Sequence, residues 1–201
     1  GTFVEKITDI TYTTANGHYQ KTTEEVTDSD GSKYRTKYKY AKDYPCPSGN
    51  NCDETNGVNV EAKAIYAMRK RNMVAIPIEQ TTWLKRPSWG SHRLTSATYF
   101  QFDRVNVSYD NLKLKAVQQV RPVSPLTSFT ESTISSGTFS KSASYTLEYN
   151  FAFSDTHGKI LSQWKQNDPA KQQYIWGHKQ KLPIAKIINA ESNEVAYASF
   201  E

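Results

Sequence analysis

Basic and aromatic residues alternate along residues 32–40, and this alternation constrains the fold more than any other feature of the sequence. The basic residues at every second position are Lys33, Arg35, Lys37 and Lys39, and the residues between them are Tyr34, Thr36, Tyr38 and Tyr40. Successive side chains of a β-strand point to opposite faces. The segment is therefore predicted to be a strand with one basic face and one face that is mostly aromatic.

The basic face of this strand allows two interpretations. The chain has a net charge of +5 and a pI near 9.0, so a row of cations backed by tyrosines is compatible with phosphate binding. Such a row is also typical of the solvated face of a sheet, or of lysines that protect a strand edge. The sequence contains no RNP-type motif and no glycine loop for phosphate. We favour the second interpretation and expect no nucleic-acid partner.

Turn signals separate the strand-like segments. Asp28 and Gly31 have the same spacing as Asp155 and Gly158, and in such turns the Asp side chain can accept backbone N–H groups while Gly supplies a positive φ. Asn16–Gly17 is the preferred pair for a type I′ hairpin. These signals predict three hairpins, although Asp and Gly are common enough for the first two to be unrelated surface turns.

Composition favours an all-β fold. Hydrophobic residues make up 37% of the 201 residues, mean hydropathy is −0.71, and the 13 tyrosines suit a pleated surface with a polar outer face. No apolar run is long enough to cross a bilayer. Strands are predicted near residues 7–13, 19–26, 32–40, 74–84, 92–103, 111–120, 145–154, 159–166, 172–178, 183–189 and 195–200.

One helix is predicted, over Val58–Arg71. Its apolar residues recur at helical spacing, and Val60, Ala64, Ile65 and Met68 fall on one face that we expect to pack on the sheet. Three regions follow from this pattern. They are a hairpin region at 1–120 with a cysteine loop (41–57) and the helix (58–71), a connection at 121–144 rich in Ser, Thr and Pro, and a second hairpin region at 145–201. The connection is expected to be mobile unless Phe129, Ile134 and Phe139 anchor it.

The two cysteines enclose a short loop of turn residues. Cys46 and Cys52 flank Pro-Ser-Gly-Asn-Asn, and a disulfide is the favoured interpretation if the protein is extracellular, with two reduced thiols as the alternative. Zinc would need more ligands, and the four histidines are scattered without metal-ligand spacing. No metal or cofactor is predicted.

Aromatic and basic residues cluster at one candidate binding loop. Trp83 and Trp89 flank a segment that contains Lys85 and Arg86, and such rings can stack on the apolar faces of sugars. A carbohydrate-binding module is therefore the alternative function. Large aromatic residues are more often buried, so the favoured interpretation places Trp83 in the core and Trp89 over the end of a hairpin.

Catalysis has little support in the sequence. Carboxylates such as Glu24, Glu25, Glu79 and Asp103 follow no spacing that defines an acid/base pair, and most acidic residues on strands are solvated. No nucleophile elbow or triad-like pattern is present. We therefore predict no catalytic residues and no enzymatic activity, with a glycan-cleaving enzyme as a third hypothesis.

Several segments resemble Rhs/YD-repeat proteins, the large secreted β-rich proteins of Bacteroidetes-type bacteria. The strongest match is Tyr174-Ile-Trp-Gly-His178 followed by Leu182-Pro-Ile-Ala-Lys-Ile187. Others are Val26–Tyr44, Arg71–Val74 with Pro77–Glu79, and Ser154–Leu161, in which Ser154 replaces the signature Tyr of the family. The resemblance covers most of the chain.

The resemblance implies an all-β, mostly antiparallel structure of hairpins in a curled or spiral YD-repeat-like sheet, with one short helix. Its implied function is a non-enzymatic segment of a secreted or cell-surface scaffold that encloses or displays an effector or mediates surface contact. The implied partners are neighbouring YD-repeat segments or other chains of the same assembly, and a surface glycan in the alternative.

In the strongest match, Gly177 permits a tight backbone and Pro183 lies at a strand start that needs no donor. Ile175, Trp176, Ile184 and Ile187 are expected in the core. Because the chain begins at Gly1 and stops just after a predicted strand, we interpret it as a mature or excised piece of a longer protein.

Overall fold

The prediction of an all-β, mostly antiparallel fold with one short helix is confirmed. A computed structural model describes residues 6–13, 18–47, 52–104, 112–154, 158–168, 170–177, 181–190 and 194, and these residues form mostly antiparallel β-structure with one α-helix. The strands are β1 (Ile7–Tyr12), β2 (Lys21–Thr27), β3 (Lys33–Tyr40), β4 (Pro77–Lys85), β5 (Arg93–Arg104), β6 (Leu112–Val120), β7 (Thr133–Ser135), β8 (Thr138–Ser140), β9 (Thr146–Phe153), β10 (Ile160–Lys165), β11 (Gln172–Gly177) and β12 (Leu182–Ile188). The helix is α1 (Val60–Lys70).

Ten of these strands form one open sheet in the order β1-β2-β3-β4-β5-β6-β9-β10-β11-β12, and β7 pairs with β8 in a separate hairpin. Each strand of the large sheet overlaps a strand predicted from the sequence. The predicted strand at 195–200 and the Asn16–Gly17 turn lie outside the described residues. The chain divides into two compact units, residues 1–100 with 119–146 and residues 101–118 with 147–201.

In the first unit, antiparallel pairing places side chains of neighbouring strands in rows. One row joins Glu25, Arg35 and Trp83 on β2, β3 and β4, and the next joins Thr23, Lys37 and Thr81. Residues in one row project from one face, because paired residues of antiparallel strands point to the same side. The basic residues of β3 therefore share a face with Glu25, Thr81 and Trp83.

Helix α1 begins where Asn59 satisfies its first turn. The side chain of Asn59 accepts the Ala62 N–H at 3.2 Å, which is the usual role of an N-cap residue. The same side chain bonds both the N–H and the C=O of Phe139 in β8, so the start of the helix is tied to the β7–β8 hairpin. Ala64, Ile65 and Met68 are buried as predicted, whereas Val60, expected on the same face, is 50% exposed.

The predicted connection at 121–144 folds with the first unit. Within it, Ile134 on β7 and Phe139 on β8 are buried, and Ser132 is fully buried. Phe139 stacks on Tyr99 at 5.1 Å between ring centroids, and Phe129 contacts Trp83 and Tyr145. The three aromatic and aliphatic anchors named from the sequence therefore hold this segment in place.

In the second unit, β9, β10, β11 and β12 pair antiparallel in chain order. The predicted hairpin is present, with Gln172 opposite Ile188 and Gly177 opposite Leu182. The expectation that this hairpin supplies core residues is wrong for Ile184, which is 38% exposed. Ile175, Trp176 and Ile187 are half-buried. Buried apolar side chains of the described residues instead concentrate on α1, and β5 contributes Leu94, Ala97 and Tyr99.

Candidate functional site

The basic face of β3 lies in the interior of the sheet. β3 pairs with β2 on one side and with β4 on the other, so the expectation of edge protection by its lysines is wrong. Lys33 donates to Glu25 at 3.1 Å, Arg35 donates to the same carboxylate at 2.7 Å, and Lys37 donates to Glu131 at 2.9 Å. Three of the four cations are therefore ion-paired.

Lys39, the fourth cation, is held differently. Its ammonium donates to the backbone carbonyl of Ser132 and lies 5.3 Å from the ring centroid of Tyr44. A cation over an aromatic ring is attracted by the ring quadrupole. Every basic side chain of this face therefore has a partner within the chain, which leaves no unpaired cation in the row for phosphate groups.

Glu25 is the centre of a charged cluster. Its carboxylate accepts hydrogen bonds from Lys33 and Arg35, and the His92 Nε2 atom lies 3.4 Å from Oε2. Burial would raise the pKa of Glu25, but the hydrogen bonds and charges of Lys33 and Arg35 outweigh burial and lower the pKa. Burial, together with the charge of Arg35, lowers the pKa of His92.

Glu79 is a buried carboxylate with a complete set of donors. It is 1% exposed, and both of its oxygens accept the Ser132 N–H, at 2.9 and 3.1 Å. The Ser132 hydroxyl donates to Oε2 and the Tyr145 hydroxyl donates to Oε1, each at 2.7 Å. Burial raises the pKa of Tyr145, and the charge of Glu79 raises it further.

The Glu79 network continues to Tyr44, whose hydroxyl lies 2.7 Å from the Ser132 hydroxyl. Buried polar groups must be hydrogen-bonded to avoid a desolvation penalty, and this cluster meets that requirement. The oxygens of the Glu79 carboxylate are therefore engaged by donors from within the chain. Glu79 therefore fastens residues 131–145 to strand β4. Sequence reasoning missed this role.

His18 forms a second buried polar contact. The Gln20 N–H donates to Nδ1 at 3.1 Å, so Nε2 carries the ring proton and donates to Asp43 at 3.0 Å. Asp43 also accepts the Tyr40 N–H at 2.8 Å. Both ring nitrogens of His18 are thus used in local structure. Among the described residues, no group of three or more His, Cys, Asp or Glu side chains is placed to hold a metal ion.

A polar groove crosses this face of the first unit. One part, of about 380 Å³, is lined by Thr13, Thr22, Thr23, Lys37, Tyr38, Lys39, Asp43, Glu79, Thr81 and Glu131. A second part, of about 330 Å³, is lined by Asp9, Thr11, Thr23, Glu25, Arg35 and Lys37. Both parts share Thr23 and Lys37. All the residues that line the two parts carry polar or charged side chains.

The two candidate tryptophans have different contacts. Trp83 is half-buried, its indole N–H donates to Thr81 at 2.8 Å, and its ring contacts Phe129 edge-on. Lys37 lies 5.5 Å from the Trp83 ring centroid. Trp89 is contacted instead by Arg86 at 5.3 Å and by Arg93 at 4.2 Å. Lys85 ends β4 opposite Lys33, and Arg86 follows in the exposed loop.

The two Asp-x-x-Gly segments take the following positions. Asp28 and Gly31 join β2 to β3, with Gly31 at φ +78° and its N–H donating to the Asp28 carbonyl. The side chain that accepts in this turn belongs to Asp30, which receives the N–H and the hydroxyl of Ser32. Gly158 has φ +59° between β9 and β10, and Asp155 lies outside the described residues.

The remaining residues of the resemblance lie on β11 and β12. Trp176 donates its indole N–H to the Ile160 carbonyl at 2.7 Å and pairs with Pro183. A Cβ atom added at Gly177 would come within 2.9 Å of Ile184, which agrees with a close approach of the two strands there. Ile175 is opposite Ala185, and Ile187 is opposite Gln173.

The two sulfur atoms of Cys46 and Cys52 lie 2.15 Å apart, at the distance of a disulfide. The bond closes the predicted loop beside α1, where Tyr66 donates to the Pro45 carbonyl at 3.1 Å. In the described part of the chain, no helix has the length and apolar character needed to span a membrane. Disulfides persist in oxidising compartments, so the pair is compatible with an extracellular protein.

The ends of the large sheet are formed by β1 and β12. In the described residues, β1 pairs only with β2, and β12 pairs only with β11. All six residues of β1 are exposed, and Leu182, Ile184 and Ile188 of β12 are exposed as well. An edge strand presents unpaired N–H and C=O groups that can pair with a further strand.

No protein-family model, curated protein or solved structure matches the chain.

Proposed function

We propose that the chain is a non-enzymatic structural segment of a secreted scaffold of the Rhs/YD-repeat type, which joins neighbouring segments or chains through its sheet edges. The observation that carries this proposal is the exposure of apolar residues on the two strands that end the sheet. Main-chain pairing at a sheet edge supplies affinity, and alternate side chains supply specificity. The curled or spiral arrangement of the sheet belongs to this proposal.

The interior chemistry of the first unit supports a structural role. Glu79 is the most deeply buried carboxylate among the described residues, and it accepts hydrogen bonds from Ser132 and Tyr145. The cations of β3 donate hydrogen bonds to Glu25, to Glu131 and to a backbone carbonyl. Groups that are already paired within the chain hold the structure together and offer little to a substrate.

The carbohydrate-binding alternative is less well supported. A sugar platform requires an open aromatic face, and the rings of Trp83 and Trp89 are each contacted by basic side chains of the chain itself. A glycan screen of the wild-type chain tests this alternative. Binding that is lost in the Trp89→Ala variant would support the binding module instead of the scaffold.

The scaffold proposal is tested by blocking both edges. The variant Ile10→Lys with Ile188→Lys places a charge on each exposed edge, and Val123→Lys introduces the same change at a fully exposed residue outside the strands. Analytical ultracentrifugation should show concentration-dependent association of the wild type and the Val123→Lys control, and a monomer for the double variant. A wild-type chain that remains monomeric at its highest soluble concentration would overturn the proposal.

A further inference from the structure

Strand β1 is the edge strand with fewer features that prevent pairing with a further strand. Its three large apolar residues, Ile7, Ile10 and Tyr12, are 49%, 46% and 59% exposed. Natural edge strands are usually protected by Lys, Pro, a bulge or a covering segment. The six residues of β1 contain no Lys, Arg or Pro, and Asp9 is their one charged residue. Its single irregularity lies between Thr11 and Tyr12, so residues 7–11 pair with β2 in unbroken register.

Strand β12 exposes apolar residues as well, but it differs from β1 in containing a proline and a lysine. Pro183 lacks an N–H group, and Lys186 places an ammonium among the exposed residues of the strand. Both are features that discourage pairing with a further strand. The contrast between the edges indicates that β1 is the strand that accepts a partner.

We propose that β1 pairs antiparallel with β1 of a second copy of this chain, around a two-fold axis that lies midway between the Ile10 residues of the two copies. The inference rests on the proposed function and names its partner and register. A two-fold axis perpendicular to the sheet brings together the same patch of both copies, as in most homodimers.

The two faces of β1 restrict the possible registers. Asp9 and Thr11 project to the polar face, opposite Glu25 and Thr23, while Thr8 and Ile10 project to the other face. Paired residues of an antiparallel ladder share a face, and residues on one face of β1 have numbers that are all odd or all even. The two residue numbers of each pair must therefore add up to an even number. Two registers then pair most of the strand, one centred on Asp9 and one centred on Ile10.

Charge selects between these two registers. The register centred on Asp9 places two carboxylates directly opposite each other, and like charges in such a pair are destabilising. The register centred on Ile10 pairs Ile10 with Ile10 of the second copy, Asp9 with Thr11, and Thr8 with Tyr12. It joins two β-branched aliphatic side chains at the centre and leaves each Asp9 beside a hydroxyl. The Ile10 register is therefore the one we assign.

Single cysteines test this register directly. Ile10→Cys places two thiols in directly opposite positions, about 5 Å apart at Cβ, so mild oxidation should link most of the protein into a covalent dimer on a non-reducing gel. Ile7→Cys is the matched control, because its two copies would lie about 20 Å apart along the strands. Asp9→Cys is not used as a control, because it removes the carboxylates that disfavour the register centred on Asp9.

The alternatives give distinct results. Failure of Ile10→Cys to link, at concentrations where the wild-type chain associates, would overturn the register. A wild-type chain that associates while neither β1 cysteine links, and Ile188→Cys on β12 does, would overturn β1 as the docking strand and leave the scaffold proposal intact. The absence of any association would overturn both proposals.

A substitution at the axis provides a second measurement. Ile10→Lys should weaken dimerisation by about tenfold or more in sedimentation equilibrium, because two ammonium groups would then face each other. The Val123→Lys control should leave the dissociation constant unchanged. Circular dichroism of both variants should match the wild type, since both residues are exposed. An unchanged dissociation constant for Ile10→Lys would count against the inference.

Discussion

The carboxylate of Glu79 accepts both the backbone N–H and the hydroxyl of Ser132, a residue 53 positions further along the chain. This contact joins strand β4 to a segment rich in Ser and Thr that precedes the β7–β8 hairpin. Both residues are buried, so neither can exchange its partner for water without opening the structure. The pair links two parts of the sequence that local patterns do not connect.

We predict that Glu79→Gln destabilises the protein by about 2–3 kcal/mol, because the amide replaces one acceptor with a donor that faces Ser132 or Tyr145. Urea denaturation followed by circular dichroism measures the change. Glu24→Gln is a suitable control, since Glu24 forms only a half-exposed ion pair with Lys21 and should contribute about 0.5 kcal/mol or less. Equal effects of the two substitutions would contradict the structural role of Glu79.

Glu25 should make stability depend on pH. Because the folded state lowers the pKa of Glu25, its contribution is complete above the ordinary value near 4.5 and is lost as pH falls through the lower folded-state pKa. The difference in unfolding free energy between the wild type and Glu25→Gln should therefore be largest near neutral pH and shrink below pH 4.5. A difference that stays constant from pH 7 to pH 3 would argue against this ion-paired cluster.

Gly137 should be intolerant of alanine. It has φ +78°, a conformation that L-residues rarely adopt, and an added Cβ atom would overlap the Asn56 carbonyl oxygen. Its own carbonyl accepts the Val58 N–H at 2.8 Å, so a shift would also disturb the approach to α1. Gly137→Ala is expected to cost about 2 kcal/mol. Gly90→Ala, where no atom lies within 4 Å of the added Cβ, should be nearly neutral in the same thermal denaturation assay.

Reduction of the Cys46–Cys52 pair should lower stability by about 2 kcal/mol, because the bond closes a short loop and so restricts the unfolded chain only modestly. Denaturation in urea with and without dithiothreitol measures this contribution. The variant in which both cysteines are replaced by serine should match the reduced wild type and no longer respond to the reductant. A stability that is unaffected by reduction would show that the bond does not constrain the unfolded state.

The strands could be predicted because their signals are local. Alternation at Lys33–Tyr40 and the turn at Asp28–Gly31 each depend on residues within a few positions of one another, and the structure places β3 and its preceding hairpin there. The partners of the β3 cations could not be predicted in the same way. Lys37 pairs with Glu131, 94 positions away, and sequence patterning carries no signal for such a contact.

The same limit explains why Glu79 was interpreted as a solvated carboxylate. Its neighbour Ile78 is also buried, so β4 has both faces covered at this point and a period of two carries no information there. In the sequence, the signal is a glutamate that directly follows an isoleucine within a predicted strand, and it could have suggested an internal polar network. Locating Ser132 and Tyr145 as its donors required the tertiary structure.

The composition of residues 121–144 suggests a boundary for expressing a shorter amino-terminal fragment. The Glu79 network shows why a fragment with that boundary would not keep its core. A polypeptide ending at residue 120 would retain Glu79 on β4 but lose Ser132 and Tyr145, which supply its donors. The carboxylate would then be left among Tyr44 and Tyr99 with no partner from the missing segment, or the core around it would open to solvent. A recombinant amino-terminal fragment therefore needs its boundary beyond Tyr145, whatever the composition suggests.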